Sequence, residues 1–274
     1  MSTEWLTHNL KHRTAKNNLP FQVSFNFQPF SPCSFEEEAK KVCLELHKKY
    51  GNKLVLAFSG GSDSEYVLKT FLELNLPITP VIVSCPFNQK DIKPAFEYCQ
   101  MAGIEPKVLE YGQEYLYLAK EKIYSQGLIS PIGLTPLLVY DYVKSAGGVV
   151  VSGQGEPLPI TIRNGQVDAK KILSNYLQLY EFEFYLDVYS QFTQPLPFFC
   201  YNQSIFYSYM KEIDTTTDIQ TAKCKLYKIP YREKTYWSEE IYENIRKNST
   251  VLPVGIKCNF SSNKILENLE NLII

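Results

Sequence analysis

One short stretch limits this chain more than any other. Residues 53–58 form an apolar run, Ser59-Gly60-Gly61-Ser62-Asp63-Ser64 follows at once, and a helical pattern then places Tyr66, Val67, Thr70, Phe71 and Leu74 on one face. A short apolar run of this kind reads as a buried parallel strand. Two glycines directly after it let the backbone approach a neighbour with no Cβ in the way. The helix that follows aims its free N–H groups and its positive dipole end at the turn. With the hydroxyls of Ser59, Ser62 and Ser64 as further donors, the turn suits a phosphate or pyrophosphate group. Asp63 would repel a bare phosphate, so it is expected to hold a magnesium ion that bridges phosphate oxygens. The plainer reading is a tight strand–helix turn capped by Ser62 or Asp63. The Gly-x₄-Gly-Lys-Ser/Thr loop does not occur.

Around this stretch, strands alternate with helices. Residues 78–85, 106–110 and 148–152 read as strands, and 91–102, 113–126 and 135–146 as helices, the first ending at Gly103. That spacing predicts βαβ crossovers, and so an α/β fold with a parallel sheet and helices on both faces. Upstream, 21–27 alternates as a strand would. A helix then starts at Ser34, where Glu37 completes a capping box, and Phe35, Ala39, Val42, Cys43 and Leu46 form its apolar stripe. Gly51 ends it. Downstream the rhythm changes: 160–163, Asn164-Gly165 and 166–168 predict a small hairpin on a type I′ turn. A helix is expected over 169–191. Aromatic residues crowd 176–209, with Pro195 and Pro197 interrupting, and packing or a dimer seam is their expected use. The last third reads as a helical C-terminal part.

Composition narrows the chemistry. The net charge is −1 over 274 residues, with basic residues scattered, so nucleic acid is not an expected partner. The seven cysteines form no Cys-x-x-Cys pair, which argues against a zinc cluster or a disulfide framework and for a reducing compartment. The first 18 residues lack the apolar core of a signal peptide, and no run is apolar enough to span a bilayer. A cytoplasmic protein without a membrane partner is expected. His8, His12 and His47 all precede the glycine pair, so neither a histidine metal site nor a Ser-His-Asp triad is expected in the domain body.

The Ser-Gly-Gly-x-Asp-Ser turn after the first strand resembles the signature of the PP-loop (N-type) ATP pyrophosphatase superfamily. Within it, residues 134–156 are similar to the asparagine synthetase-like branch. A helix leads to Gly147-Gly148, a valine run and Ser152-Gly153-Gln154-Gly155-Glu156, close to that branch's SGEGADE motif, although Pro157 and Leu158 follow where acidic residues would. The plain alternative is a buried strand ending in a glycine-rich loop. Pro197-Phe198-Phe199 before a helix at 202–210 is similar to the branch's entry to its C-terminal helices. Lys223-Cys224-Lys225-Leu226-Tyr227 resembles a K-x-x-L-R pattern, with Tyr227 departing from it, and Arg232-Glu233-Lys234 resembles R-x-K.

The resemblance implies an adenine nucleotide alpha hydrolase-like (PP-loop) fold, ATP and magnesium as cofactors, and cleavage between the α and β phosphates. A substrate oxygen is adenylated, pyrophosphate leaves, and an amide forms. By residue, it assigns Ser59, Gly60, Gly61, Ser62, Asp63, Ser64, Ser84, Gly153, Gln154 and Gly155 to the nucleotide, and Asp63 and Glu156 to the metal. Lys223, Arg232 and Lys234 are placed at the triphosphate, where positive charge stabilises the departing pyrophosphate. Otherwise they are solvated surface charges. The implied organisation is an extension at 1–33, an ATP-binding domain at 34–210 and a helical segment at 211–274. Ser2 follows Met1, so the catalytic cysteine of a glutaminase is not expected. The nitrogen would come from ammonia, an amine substrate or a separate amidotransferase subunit. The substrate is expected to be a small molecule, and a homodimer is possible. Two other readings stay open: sulfur transfer through Cys85, Cys200 or Cys224, against which stands the tendency of isolated cysteines to be inert and buried, and a non-catalytic nucleotide-binding module.

Overall fold

A computed structural model of the chain describes residues 5–8, 23–115, 117–118, 134–153, 155–156, 162–163, 166–167, 197–214, 216–231 and 267–274. Helix α1 (Phe35–Tyr50) starts where the capping box puts it. Ser34 Oγ accepts from Glu37 N–H, and the Glu37 carboxylate accepts in return from Ser34 N–H. Its expected stripe is its buried face, with Phe35, Ala39, Val42, Cys43 and Leu46 all in the core. The chain then runs through β3 (Leu54–Ala57), α2 (Ser62–Glu73), β4 (Thr79–Ser84), α3 (Gln89–Ala102), β5 (Lys107–Glu110), α4 (Leu134–Ser145) and β6 (Val149–Ser152). Gly103 ends α3 in the left-handed conformation, φ 67°. There a glycine pays no steric cost.

The four central strands are parallel in the order β5-β4-β3-β6. The chain therefore builds outward from β3 through β4 to β5, then returns to the other side of β3. In open sheets of this kind, the reversal of strand order at the carboxyl ends of the strands is where ligands bind. The register is flush, with Ala57 beside both Val81 and Ser152.

Side chains alternate between two faces, and both are buried. Leu54, Leu56, Phe58, Ile82 and Val151 face α1, α2 and α3. Val81, Val83 and Val150, with the partly buried Val55 and Ala57, face α4 and Tyr115. A sheet covered on both sides is why the strands read as continuous apolar runs rather than alternating ones. The α/β expectation of a parallel sheet with helices on both faces is what the structure has.

Two further helices join the first face: α5 (Gln203–Glu212), capped by Asn202, and α6 (Ile219–Tyr227), capped by Asp218. Of the described aromatics of the 176–209 belt, Phe198, Phe199, Tyr201 and Tyr209 pack there, while Phe206 meets Trp5 and Tyr207 meets Phe30. Phe199 stacks near Phe35, Tyr66 and Tyr227, and Tyr209 meets Phe35 edge-on. In the extension, β1 (Leu6–His8) pairs antiparallel with β2 (Val23–Phe25). Trp5 donates its indole N–H to Cys200 O at 3.0 Å. Strands β7 (Ile162–Arg163) and β8 (Gln166–Val167) pair as the expected hairpin, whose turn lies outside the described residues. So do the helix expected over 169–191 and most of that over 113–126. Among the described residues, no helix is long and apolar enough to cross a membrane.

Candidate active site

The turn after β3 is built by close packing. Gly60 has φ +78°, and a Cβ there would lie 2.7 Å from the backbone nitrogen of Ala95 in α3. No side chain other than hydrogen fits. The first residue of α2 is Ser62, and its N-cap is Gly61, which supplies no capping side chain. The plain expectation of a cap from Ser62 or Asp63 is thereby corrected: both lie inside the helix. The N–H groups of the first turn keep their donor capacity at the carboxyl edge of β3. Ser59 Oγ and Ser64 Oγ lie 3.3 Å apart, and Ser64 Oγ also donates to Gly61 O at 3.1 Å. These contacts hold the two hydroxyls to the turn.

The loop after β6 closes on the same turn. A Cβ on Gly153 would come within 2.7 Å of Ser64 Cα and 2.8 Å of Ser64 N. Gly155, at φ +84°, packs as tightly against Cys200 and Pro197. Only glycine permits both approaches. Gln154 lies outside the described residues.

Lys223 joins the two turns. It projects from α6 with Tyr227 one turn on, so both reach the same side of the helix. The Lys223 ammonium donates to Asp63 Oδ2 at 2.9 Å and to Glu156 Oε1 at 2.6 Å. Tyr227 donates to Asp63 Oδ1 at 2.7 Å, so both oxygens of Asp63 are engaged. The cluster is enclosed: side-chain exposures are 9% for Lys223, 12% for Glu156 and 21% for Asp63. Burial alone would lower the pKa of Lys223, but Asp63 and Glu156 outweigh it and hold the group well above the usual lysine range. Burial, reinforced by the charge on Asp63, raises that of Tyr227. The Tyr209 hydroxyl is also buried, and burial raises its pKa, with Lys223, Glu156, Asp63 and the Tyr227 hydroxyl all acting on it.

Two contacts fix α6 against α2. Lys69 of α2 donates to Tyr227 O at 3.0 Å and Lys228 O at 3.2 Å, satisfying carbonyls at the end of α6. The Tyr227 ring stacks on Tyr66 with centroids 4.5 Å apart.

The structure thus brings together Ser59 to Ser64, Gly153, Gly155, Glu156 and Lys223, drawn from three separate parts of the chain. Asp63 and Glu156 share the Lys223 ammonium, so they meet around a cation and not as an open pair of carboxylates. As direct metal ligands they do not fit while Lys223 lies between them. Among the described residues, no group of three or more His, Cys, Asp or Glu gathers to hold a metal ion. Ser84 ends β4 at the same sheet edge, where its hydroxyl accepts from Gln89 at 3.0 Å. Arg232 and Lys234 lie outside the described residues. Two contributors escaped the sequence reading, Tyr227 and Lys69. A lysine and a tyrosine four apart on the apolar side of α6 were the available signal for Tyr227; nothing local marks Lys69.

Neither a family model nor a curated protein matches the chain. Solved structures do. An NH3-dependent NAD synthetase from Campylobacter jejuni, in complex with the nitrate ion, is 22% identical over 44% of this chain and 56% of that one, with a TM-score of 0.35. The chain thus spans little more than half of that relative. An NMN synthetase from Francisella tularensis is 17% identical over 84% of this chain and 100% of its own, with a TM-score of 0.36. A predicted subunit of tRNA methyltransferase from Methanocaldococcus jannaschii is 15% identical over 68% and 95%, with a TM-score of 0.34. Likenesses of this grade say nothing of chemistry, which rests here on the chain's own side chains.

Proposed function

We propose that this chain is an ATP-dependent ligase of the PP-loop kind, which adenylates a substrate oxygen, releases pyrophosphate and then forms an amide. The observation that carries the reading is the uncapped N-terminus of α2 after Gly60-Gly61, placed where the strand order reverses. Backbone N–H groups aimed at one point, with no Cβ in front of them, bind phosphate oxygens. The Ser59 and Ser64 hydroxyls, held within the turn, become further donors once they rotate toward a phosphate. Two of the three Lys223 protons go to Asp63 and Glu156, and among the described residues the third has no acceptor. It can donate to the phosphates as charge builds on the leaving group. A magnesium ion, when bound with the nucleotide, supplies charge at the phosphate oxygens.

Sulfur transfer fits less well. Burial pushes the thiols of Cys85 and Cys200 up, away from the reactive thiolate. A ligase with ammonia or an amine as nucleophile needs no thiol. Phosphorus NMR of the products from ATP and a panel of carboxylic acids with ammonia tests the reading. AMP and pyrophosphate are expected; ADP and phosphate would refute it, and binding without turnover would leave the non-catalytic module. Activity retained in Cys85→Ser, Cys200→Ser and Cys224→Ser separates the ligase from a thiolating enzyme.

A further inference from the structure

We infer that Lys223 is an internal counter-cation: it occupies the space between Asp63 and Glu156 that a divalent ion would otherwise take, so that metal enters this site only with the phosphates of a nucleotide. The inference rests on the proposed nucleotide site, and deepens it by assigning the order in which charge arrives.

Three observations support it. The ammonium lies 2.9 Å from one carboxylate and 2.6 Å from the other, at hydrogen-bonding distance from both. The second oxygen of Asp63 is already taken by Tyr227. The lysine is also not a loose surface chain that swings away, because α6 is tied to α2 by Lys69 and by the Tyr66–Tyr227 stack. A metal ion arriving alone would have to sit beside a fixed unit charge of the same sign, in a poorly solvated pocket where such repulsion is strong. Metal carried on phosphate oxygens avoids that cost, since the nucleotide brings its own negative charge and is met by the N–H groups of α2. Asp63 then acts as a positioning residue, holding Lys223 and Tyr227 and with them α6 against the phosphate turn.

Manganese binding to the full-length, nucleotide-free protein, read by the loss of the free-ion signal in electron paramagnetic resonance, tests this without any turnover. Lys223→Gln removes the charge yet keeps an amide that can hydrogen-bond to the carboxylates. It is expected to bind Mn²⁺ at least about tenfold more tightly than the wild type, the low end of what one neighbouring unit charge does to a binding equilibrium. Adding Asp63→Asn to that variant is expected to abolish the gain. Equal affinity in wild type and Lys223→Gln would overturn the inference. So would stoichiometric Mn²⁺ binding by the nucleotide-free wild type that Asp63→Asn removes. Where Lys223→Gln does not fold, the wild type against Glu156→Gln decides: unchanged weak binding supports the inference, and a loss overturns it. A parallel titration with ATP keeps the two readings apart. Failure to bind ATP would sink the ligase but leave the metal-only comparison intact.

Discussion

The two glycine turns of the site do the same work by different means. The turn at Ser59 to Ser64 is local: strand, two glycines and helix follow one another, and its donors come from the same few residues. The turn at Gly153 to Glu156 contributes through distant partners. Gly153 touches Ser64, Gly155 touches Cys200 and Pro197, and Glu156 finds its ion-pair partner in Lys223. The first turn is a motif in its own right. The second is a socket, shaped to receive the first turn on one side and α6 on the other.

Breaking the socket has the largest expected effect. Lys223→Met leaves Asp63 and Glu156 buried without their cation, a change that costs about 3–5 kcal/mol in comparable buried pairs. Urea unfolding followed by circular dichroism measures it. A loss below about 1 kcal/mol, the range of exposed pairs, would show that the triad opens to water. The pH dependence has a defined sign. Lys223 has a raised folded-state pKa, so its contribution is full below the unfolded value of about 10.4 and is lost as pH rises through the folded one. Alkaline destabilisation is therefore expected to be shallower in Lys223→Met than in the wild type.

A finer comparison sets one glycine of each turn side by side. Gly153→Ala drives a Cβ to 2.7 Å from backbone atoms of α2, and overpacking of this kind costs about 1–3 kcal/mol. Gly61→Ala meets only Ser59 Oγ, at 3.4 Å, and Gly61 has an ordinary extended φ of −72°. Its effect on stability is expected to stay within about 0.5 kcal/mol. Thermal unfolding of the two variants checks the contrast, and equal losses would erase the distinction between motif and socket.

The smallest effect concerns the outer tether of α6. Glu36 accepts from Lys228 at 2.6 Å on the exposed rim. Hydrogen bonds from Lys228, and then from Lys40, lower its pKa from 4.5 to about 2. Its stabilisation is thus present above about pH 4.5 and is lost as pH falls toward 2. Solvent screening keeps it under about 1 kcal/mol, so Glu36→Gln is expected to remove a small increment at neutral pH and none near pH 2. Denaturant midpoints at the two pH values measure it. A loss as large as that of Lys223→Met would mean that α6 is held at its rim and not at its buried face.

What the amino-acid order determines by itself is whatever depends on near neighbours. The capping box at Ser34, the left-handed stop at Gly103, the runs that become β3, β4, β5 and β6, and the glycine pair before α2 are all local, and all were legible. The parallel sheet follows from their alternation. Boundaries moved by a residue or two, and the cap of α2 fell to Gly61, because pairing across the sheet and the close packing of Gly60 on α3 decide where the helix starts. The roles within the site were not legible in the same way. In the sequence Lys223 reads as a cation at the triphosphate, Asp63 as a metal ligand and Tyr227 as a departure from a pattern. They become one buried cluster because the reversal of strand order sets β6 beside β3, and α6 docks on α2. An ion pair between residues 160 positions apart leaves no periodicity in the sequence. Its partners are selected by burial, which removes water as a competitor and leaves a buried charge only the partner that the tertiary fold brings to it.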